Sequence, residues 1–164
     1  MIASSLHPYI HFPNAKEAMA YYRDVFGADH LFRIPVTKNA ARELDLIDTD
    51  LNDSTMHGGF EVLGSEILCA DDFMNQPQHA TNIAIMLEFN ADDTADVVKA
   101  QKFFARVANS GRVRVTVPYT NAYFGGKRGE FTDEYGVNWI INCRPQNWVQ
   151  NAPVVDEEPL NEPA

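Results

Sequence analysis

The chain has 164 residues, of which 45% are hydrophobic and 11% aromatic, enough to bury a real core in one domain or two small modules and too few for a large multidomain enzyme. Thirteen basic against 23 acidic residues give a net charge of -10, which excludes a broad nucleic-acid or anionic-membrane surface but leaves room for a local basic pocket. Cys69 and Cys143 form neither a CxxC pair nor a metal knuckle. No apolar run is long enough to cross a bilayer and no signal-peptide pattern opens the chain, so a cytoplasmic address is expected.

Residues 6–12 read as an edge strand, with Leu6, Pro8, Ile10 and Phe12 on one side and His7, Tyr9 and His11 on the other. In the following NAKEAMAYYRDVFG, Asn14 and Glu17 have capping-box spacing, an apolar stripe runs from Ala15 to Phe26, and Gly27 stops the helix. Residues 29–36 make a weaker strand, followed by a polar linker through Ser54. Residues 56–62 and 65–70 pair as strands around Leu63 and Gly64. After a polar connection come a strand over 82–89 and a helix over 93–108, with Phe103, Phe104 and Val107 as its apolar contacts and Asn109, Ser110 and Gly111 as its stop. Further strands are expected near 112–117, 129–132 and 137–143.

This order repeats. Ala18, Tyr21, Tyr22 and Val25 recur at a constant spacing as Ala100, Phe103, Phe104 and Val107. The expected fold is therefore α+β, with two paired βαβββ modules at about 5–72 and 80–143 inside one domain of residues 1–143. Residues 144–164 form an acidic, proline-containing tail, exposed or wrapped on a partner through Trp148 and Val149.

The segments LHPYIHFPNAKEAMAYYRDVFGA, TMHGGFEVLGSEILCADD and GEFTDEYGVNWIINC, in this order and with the second helix among them, resemble the PhnB-like branch of the glyoxalase/bleomycin-resistance/extradiol-dioxygenase (vicinal oxygen chelate) superfamily. The resemblance covers about residues 5–143 and implies a cupped mixed sheet, commonly within a dimer. Relatives include metal-dependent isomerases, lyases and dioxygenases as well as drug-binding proteins without chemistry. Matching the family's helix ending to Tyr21, Tyr22, Phe26 and Gly27 puts His7 at the usual first metal-ligand position. Matching its final turn to Asp133, Glu134, Tyr135 and Gly136 puts Ile140 where metal-using relatives carry Glu. Leu68 and Asn82, or Thr81 by a shift, fall at the other two positions.

Leu68 and Ile140 carry no donor atom, and one histidine does not hold a catalytic metal tightly. No metal and no cofactor is therefore expected, with His7 the only matched donor; His57, Asp71 and His79 could make only a different, rearranged site. The reading is a non-catalytic protein that binds an unidentified small molecule in a cupped cavity, as a homodimer, with no nucleic-acid or membrane partner. The alternatives are a metal-dependent lyase, isomerase or dioxygenase with a rearranged site, and a structural or interaction protein.

The ligand-binding candidates are His7, His57, Asn138 and Asn142 around one cavity, with Tyr123 and Arg128 at its rim. His57 lies beside Gly58 and Gly59, which permit close backbone approach, and Asn138, Ile140 and Asn142 share one mixed-polarity strand face. GGKRG lacks the phosphate-loop pattern and reads as a hairpin rim in which Gly125 and Gly126 allow the turn. Asp71, Asp72, Asp133 and Glu134 are expected to cap backbone rather than act as acid/base pairs.

Overall fold

In the computed structural model, which describes residues 5–46, 50–75, 82–123 and 125–147, the first helix, α1 (Ala15–Phe26), has the ends that its sequence predicts. The Asn14 side chain accepts from the Glu17 N–H at 3.1 Å, and Gly27 ends the helix in the left-handed conformation at φ 71°. The stripe on α1 is buried along its whole length, from Ala15 to Phe26.

The elements run β1 (Tyr9–Phe12), α1, β2 (Asp29–Pro35), α2 (Lys38–Glu43), β3 (Thr55–Val62) and β4 (Ser65–Asp71), then β5 (Ala84–Asn90), α3 (Thr94–Asn109), β6 (Val113–Asn121), β7 (Lys127–Asp133) and β8 (Asn138–Arg144). Two βαβββ modules thus build two four-stranded mixed sheets, ordered β1-β4-β3-β2 and β5-β8-β7-β6. In each, the first strand runs parallel to the fourth and the remaining pairs are antiparallel. This is the α+β arrangement of two modules expected from the repeat, and the cupped architecture that the resemblance implies. One element was not expected. The polar linker contains α2, started by the Thr37 hydroxyl accepting from the Ala40 N–H at 3.2 Å. Only Ala41 of that helix is buried, so its sequence shows no apolar stripe.

Strand alternation assigns each sheet a helix-covered face and an open face. Ile10 and Phe12 pack inward while Tyr9 and His11 point out, as the sequence implies. Trp139, Ile141 and Cys143 are buried on β8. The helices and covered faces share one aromatic core across the modules: Tyr22 stacks on Phe60 with centroids 4.7 Å apart, and Phe26 lies 5.0 Å from Trp139 and 5.7 Å from Phe131.

Two buried carboxylates tie backbone together, the role expected of acids beside turns. Asp71 accepts from the Ala15 N–H at 2.7 Å and the Thr55 N–H at 2.9 Å, while Asp133 accepts from the backbone of Tyr135 and Val137. Both cysteines are free and buried, and burial pushes the Cys69 thiol up to about 12, which keeps it protonated and unreactive. Among the described residues no helix is long and apolar enough to cross a membrane. His79, Thr81, Phe124, Trp148, Val149 and the acidic run of the tail lie outside the described residues.

Candidate functional site

On the open face of the first sheet, cross-strand pairing sets Tyr9, Leu68, Gly59 and Phe32 in one row. His57 stands opposite Ile34, one step along the same face. The Tyr9 hydroxyl and His57 Nδ1 are hydrogen-bonded at 3.3 Å, their rings stack at 5.9 Å, and Phe32 lies 5.6 Å from the imidazole. His11 extends the group at 5.2 Å from Tyr9. Gly59 makes this possible: a Cβ there would meet the Phe32 ring at 2.6 Å and Leu68 Cδ2 at 3.0 Å, so those side chains lie directly over bare backbone. Tyr9 and Ile34 keep 45% and 51% of their surface exposed, which leaves an aromatic and imidazole wall facing outward. Burial raises the Tyr9 phenol, so it remains a neutral donor.

His7 stands beside this wall with both ring nitrogens engaged, Nδ1 at 3.2 Å from Glu66 and Nε2 at 2.8 Å from Ser5 Oγ. Glu66 pairs across the ladder with Glu61, and Glu61 with Asp29, so a row of acids borders one end of the face. There Asp29, His30 and Glu61 bring one donor atom each to within 4.8 Å of the others, the one such group of three among the described residues. His30 Nδ1 lies 3.2 Å from Asp29 and 3.3 Å from Glu61, and its hydrogen bond to Asp29 raises its pKa. This triad is missing from the candidates drawn from the sequence, because its third member is far along the chain and joins the others only through strand pairing.

The open face of the second sheet is polar. Its rows are Glu88, Asn142, Arg128 and Thr120; then Met86, Ile140, Glu130 and Val117; then Ala84, Asn138, Thr132 and Arg114. Arg128 pairs with Glu130 at 2.8 Å, and Thr132 donates to Asn138 at 2.9 Å. Arg144 binds Glu88 at 2.6 Å and holds that carboxyl below its usual range. Asn142 is 6% exposed; its Nδ2 reaches Glu88 at 3.4 Å, while its Oδ1 has no hydrogen-bond partner among the described residues. A cavity of about 260 Å³ is lined by Asn138, Ile140, Glu130, Thr116 and Ala84.

Within one chain, His57 therefore stands on the first sheet with His7 just before its strand β1, and Asn138, Asn142 and Arg128 stand on the second. Tyr123 lies in the turn between β6 and β7 with 92% of its surface exposed.

The positions that the resemblance assigns to a metal do not fit one. Leu68 and Ile140 have no donor, and both nitrogens of His7 are occupied. The pairing also corrects the fourth position. Tyr9 faces Leu68 as Met86 faces Ile140, so the residue that corresponds to His7 is Ala84 rather than Asn82 or Thr81, and it too lacks a donor.

Two βαβββ modules with covered cores and open sheet faces make a glyoxalase-like α+β fold. Comparison with known proteins finds similar chains at low identity. Protein YjdN of Escherichia coli (strain K12) is 24% identical over 156 residues, covering 88% of this chain and 99% of that protein. Among solved structures, protein PA1353 from Pseudomonas aeruginosa superposes with a TM-score of 0.61 at 23% identity, over 88% of this chain and all of that one. The PhnB protein from Bacillus cereus does so at 0.56 and 19% identity, over 84% of this chain and 98% of its own. The fosfomycin resistance protein FosX from Listeria monocytogenes, solved as a point mutant with Mn(II) and 1S,2S-dihydroxypropylphosphonic acid, gives 0.59 at 13% identity, over 93% and 100% of the two chains. No family model matches the chain. The likeness carries the fold; activity has to be argued from the site.

Proposed function

We propose that this protein binds a planar or aromatic small molecule against the open face of its first sheet. The observation that carries this reading is the outward wall of Tyr9, His57, Phe32 and Leu68, where stacking surface and two hydrogen-bonding groups stand side by side over Gly59. The cavity beside Asn138 and Ile140 on the open face of the second sheet, about 260 Å³, is too small to enclose a drug-sized ligand, for which roughly 300 Å³ or more is usual. A second wall is needed. A homodimer that lays the aromatic face of one copy over the polar face of another would supply it and bring His57 toward Asn138, Asn142 and Arg128. Sedimentation across a dilution series should then show a dimer at micromolar concentration; a persistent monomer counts against the closed site.

Saturation-transfer NMR against planar aromatic carboxylates and phenols tests the binding. Saturable binding without turnover is expected, and His57→Ala and Asn142→Ala should each weaken it by about 1–3 kcal/mol through lost buried hydrogen bonds. Binding indifferent to both substitutions places the ligand elsewhere.

One observation favours a second reading, a metal-dependent lyase, isomerase or dioxygenase with a rearranged site. Asp29, His30 and Glu61 offer two carboxylates and an imidazole, a donor set that suits Mn²⁺ or Zn²⁺. Their ion pairs would have to give way, since a metal takes the neutral imidazole. Titration calorimetry with Mn²⁺ and Zn²⁺ should show one saturable site that His30→Ala weakens at least tenfold. Equal heats for wild type and variant would leave the triad as an ion-pair cluster only.

A further inference from the structure

Away from both open faces, a groove of about 410 Å³ runs along α3, between that helix, the end of α1 and the β3–β4 turn. Its floor is apolar, made by Phe26, Leu63, Val98 and Phe103, and Val98 keeps 43% of its surface exposed. Its edge is cationic. Lys99, Lys102 and Arg106 follow one another along the helix at spacings that put them on one side, in a chain with only 13 basic residues. Among the described residues none of the three is ion-paired with an acid. Arg106 donates to the Asp24 carbonyl at 3.3 Å and lies against Gly27, where a Cβ would sit 2.6 Å from its Nη1.

We propose that the occupant of this groove is the chain's own C-terminal tail, with Asp156, Glu157, Glu158 and Glu162 against Lys99, Lys102 and Arg106. Where the described chain ends supports this. The Ala91 N–H donates to the Arg144 carbonyl at 2.9 Å and the Gln146 N–H to Asp92 at 3.0 Å, so the chain leaves β8 beside the start of α3. Ala95, at the near end of the groove, is within a turn of that point. The groove spans about 16 Å of helix from Ala95 to Arg106, and the nine steps from 147 to 156 reach about 30 Å when extended.

Charge sets the register. Asp92, Asp93 and Asp96 crowd the start of α3 and would repel acids there, but residues 148–155 carry no charge at all. The acids come only after that neutral stretch, and they reach the cationic edge. Val154, Val155 and Leu160 flank them and match the apolar floor. Tethering makes the encounter intramolecular, so modest contacts suffice to keep the tail bound.

Zero-length carbodiimide crosslinking of the full-length protein, read by mass spectrometry, tests this. Lys99 or Lys102 should couple to residues 156–158 or 162, and a mixture of isotope-labelled and unlabelled protein should show the links to lie within single chains. Lys99→Glu with Lys102→Glu should speed amide exchange in the tail by about fivefold or more, with the circular dichroism spectrum unchanged. Tail acids that couple instead to Lys16, Lys38 or Lys127, links that form only between chains, or tail exchange unmoved by the charge reversal would each overturn the proposal.

Discussion

Replacing Gly126 by alanine is expected to lower stability by about 3 kcal/mol or more, the upper end of what a single overpacked methyl costs. A Cβ at that position would fall on the Cys143 carbonyl oxygen, 2.9 Å from the Cys143 carbonyl carbon and 3.1 Å from Arg144 Cα. All three atoms are backbone, so no side chain can swing away. Relief requires opening the β7–β8 ladder where Lys127 faces Cys143, next to the paired Arg128 and Asn142 of the open face. Gly125 is the control. It has φ 89°, but an added Cβ would meet only Pro145 Cγ, at 3.9 Å, so Gly125→Ala should cost about 1 kcal/mol for the left-handed backbone alone. Urea denaturation of both variants separates the two causes. A Gly126→Ala loss no larger than that of Gly125→Ala would show that the strand end yields.

The GGKRG hairpin shows how far sequence reading goes. Two adjacent glycines mark a turn, and a turn is there, but only Gly125 is needed for its φ; Gly126 is needed because another strand's backbone lies against it. The first reason is local and written in the dipeptide. The second belongs to strand packing and has no local signature. The same division holds for the elements. Asn14 and Gly27 announce both ends of α1, and the repeat of Tyr21, Tyr22 and Val25 announces the second module. Helix α2 stays hidden because a helix that buries only Ala41 has no periodic apolar face to read.

The candidate site divides likewise. Alternation along single strands is legible, and it placed Tyr9 and His11 on the outward face of β1 and Asn138, Ile140 and Asn142 together on β8. Register between strands is not legible. It decides that Tyr9 meets His57, that Ala84 rather than Asn82 corresponds to His7, and that Glu61 closes on Asp29 and His30. Each of these pairs is far apart in sequence, and a slip of one residue would send every partner to the opposite face.

Asp133→Asn is expected to cost about 2–4 kcal/mol, because it turns a donor toward donors in the buried centre of the molecule. Asp133 Oδ2 accepts from the Tyr22 hydroxyl at 2.5 Å and from Trp139 Nε1 at 2.9 Å, and Oδ1 from the backbone N–H groups of Tyr135 and Val137. Tyr22 belongs to the first module and Asp133 to the second, so this carboxylate also fastens one to the other. An asparagine amide can keep the two backbone donors on its oxygen, yet its nitrogen would then face the indole N–H, which cannot reverse. Tyr22→Phe removes one donor of four and should cost less, and the double variant should lose less than the sum of the two, since both act on one oxygen. The pH dependence has an unusual sign. Burial pushes the Asp133 carboxyl above the usual carboxylate range, and its hydrogen bonds pull it only part of the way back. The folded state therefore holds this proton more firmly than the unfolded one. The group's favourable contribution is greatest below its unfolded pKa and declines as pH rises through the folded value, the reverse of Glu88, whose pairing with Arg144 is lost on acidification. Urea titrations between about pH 3 and 6 should show the stability gap between wild type and Asp133→Asn narrowing as pH rises. A gap that widens would mean that the four donors outweigh burial and that the carboxyl is more acidic in the folded protein.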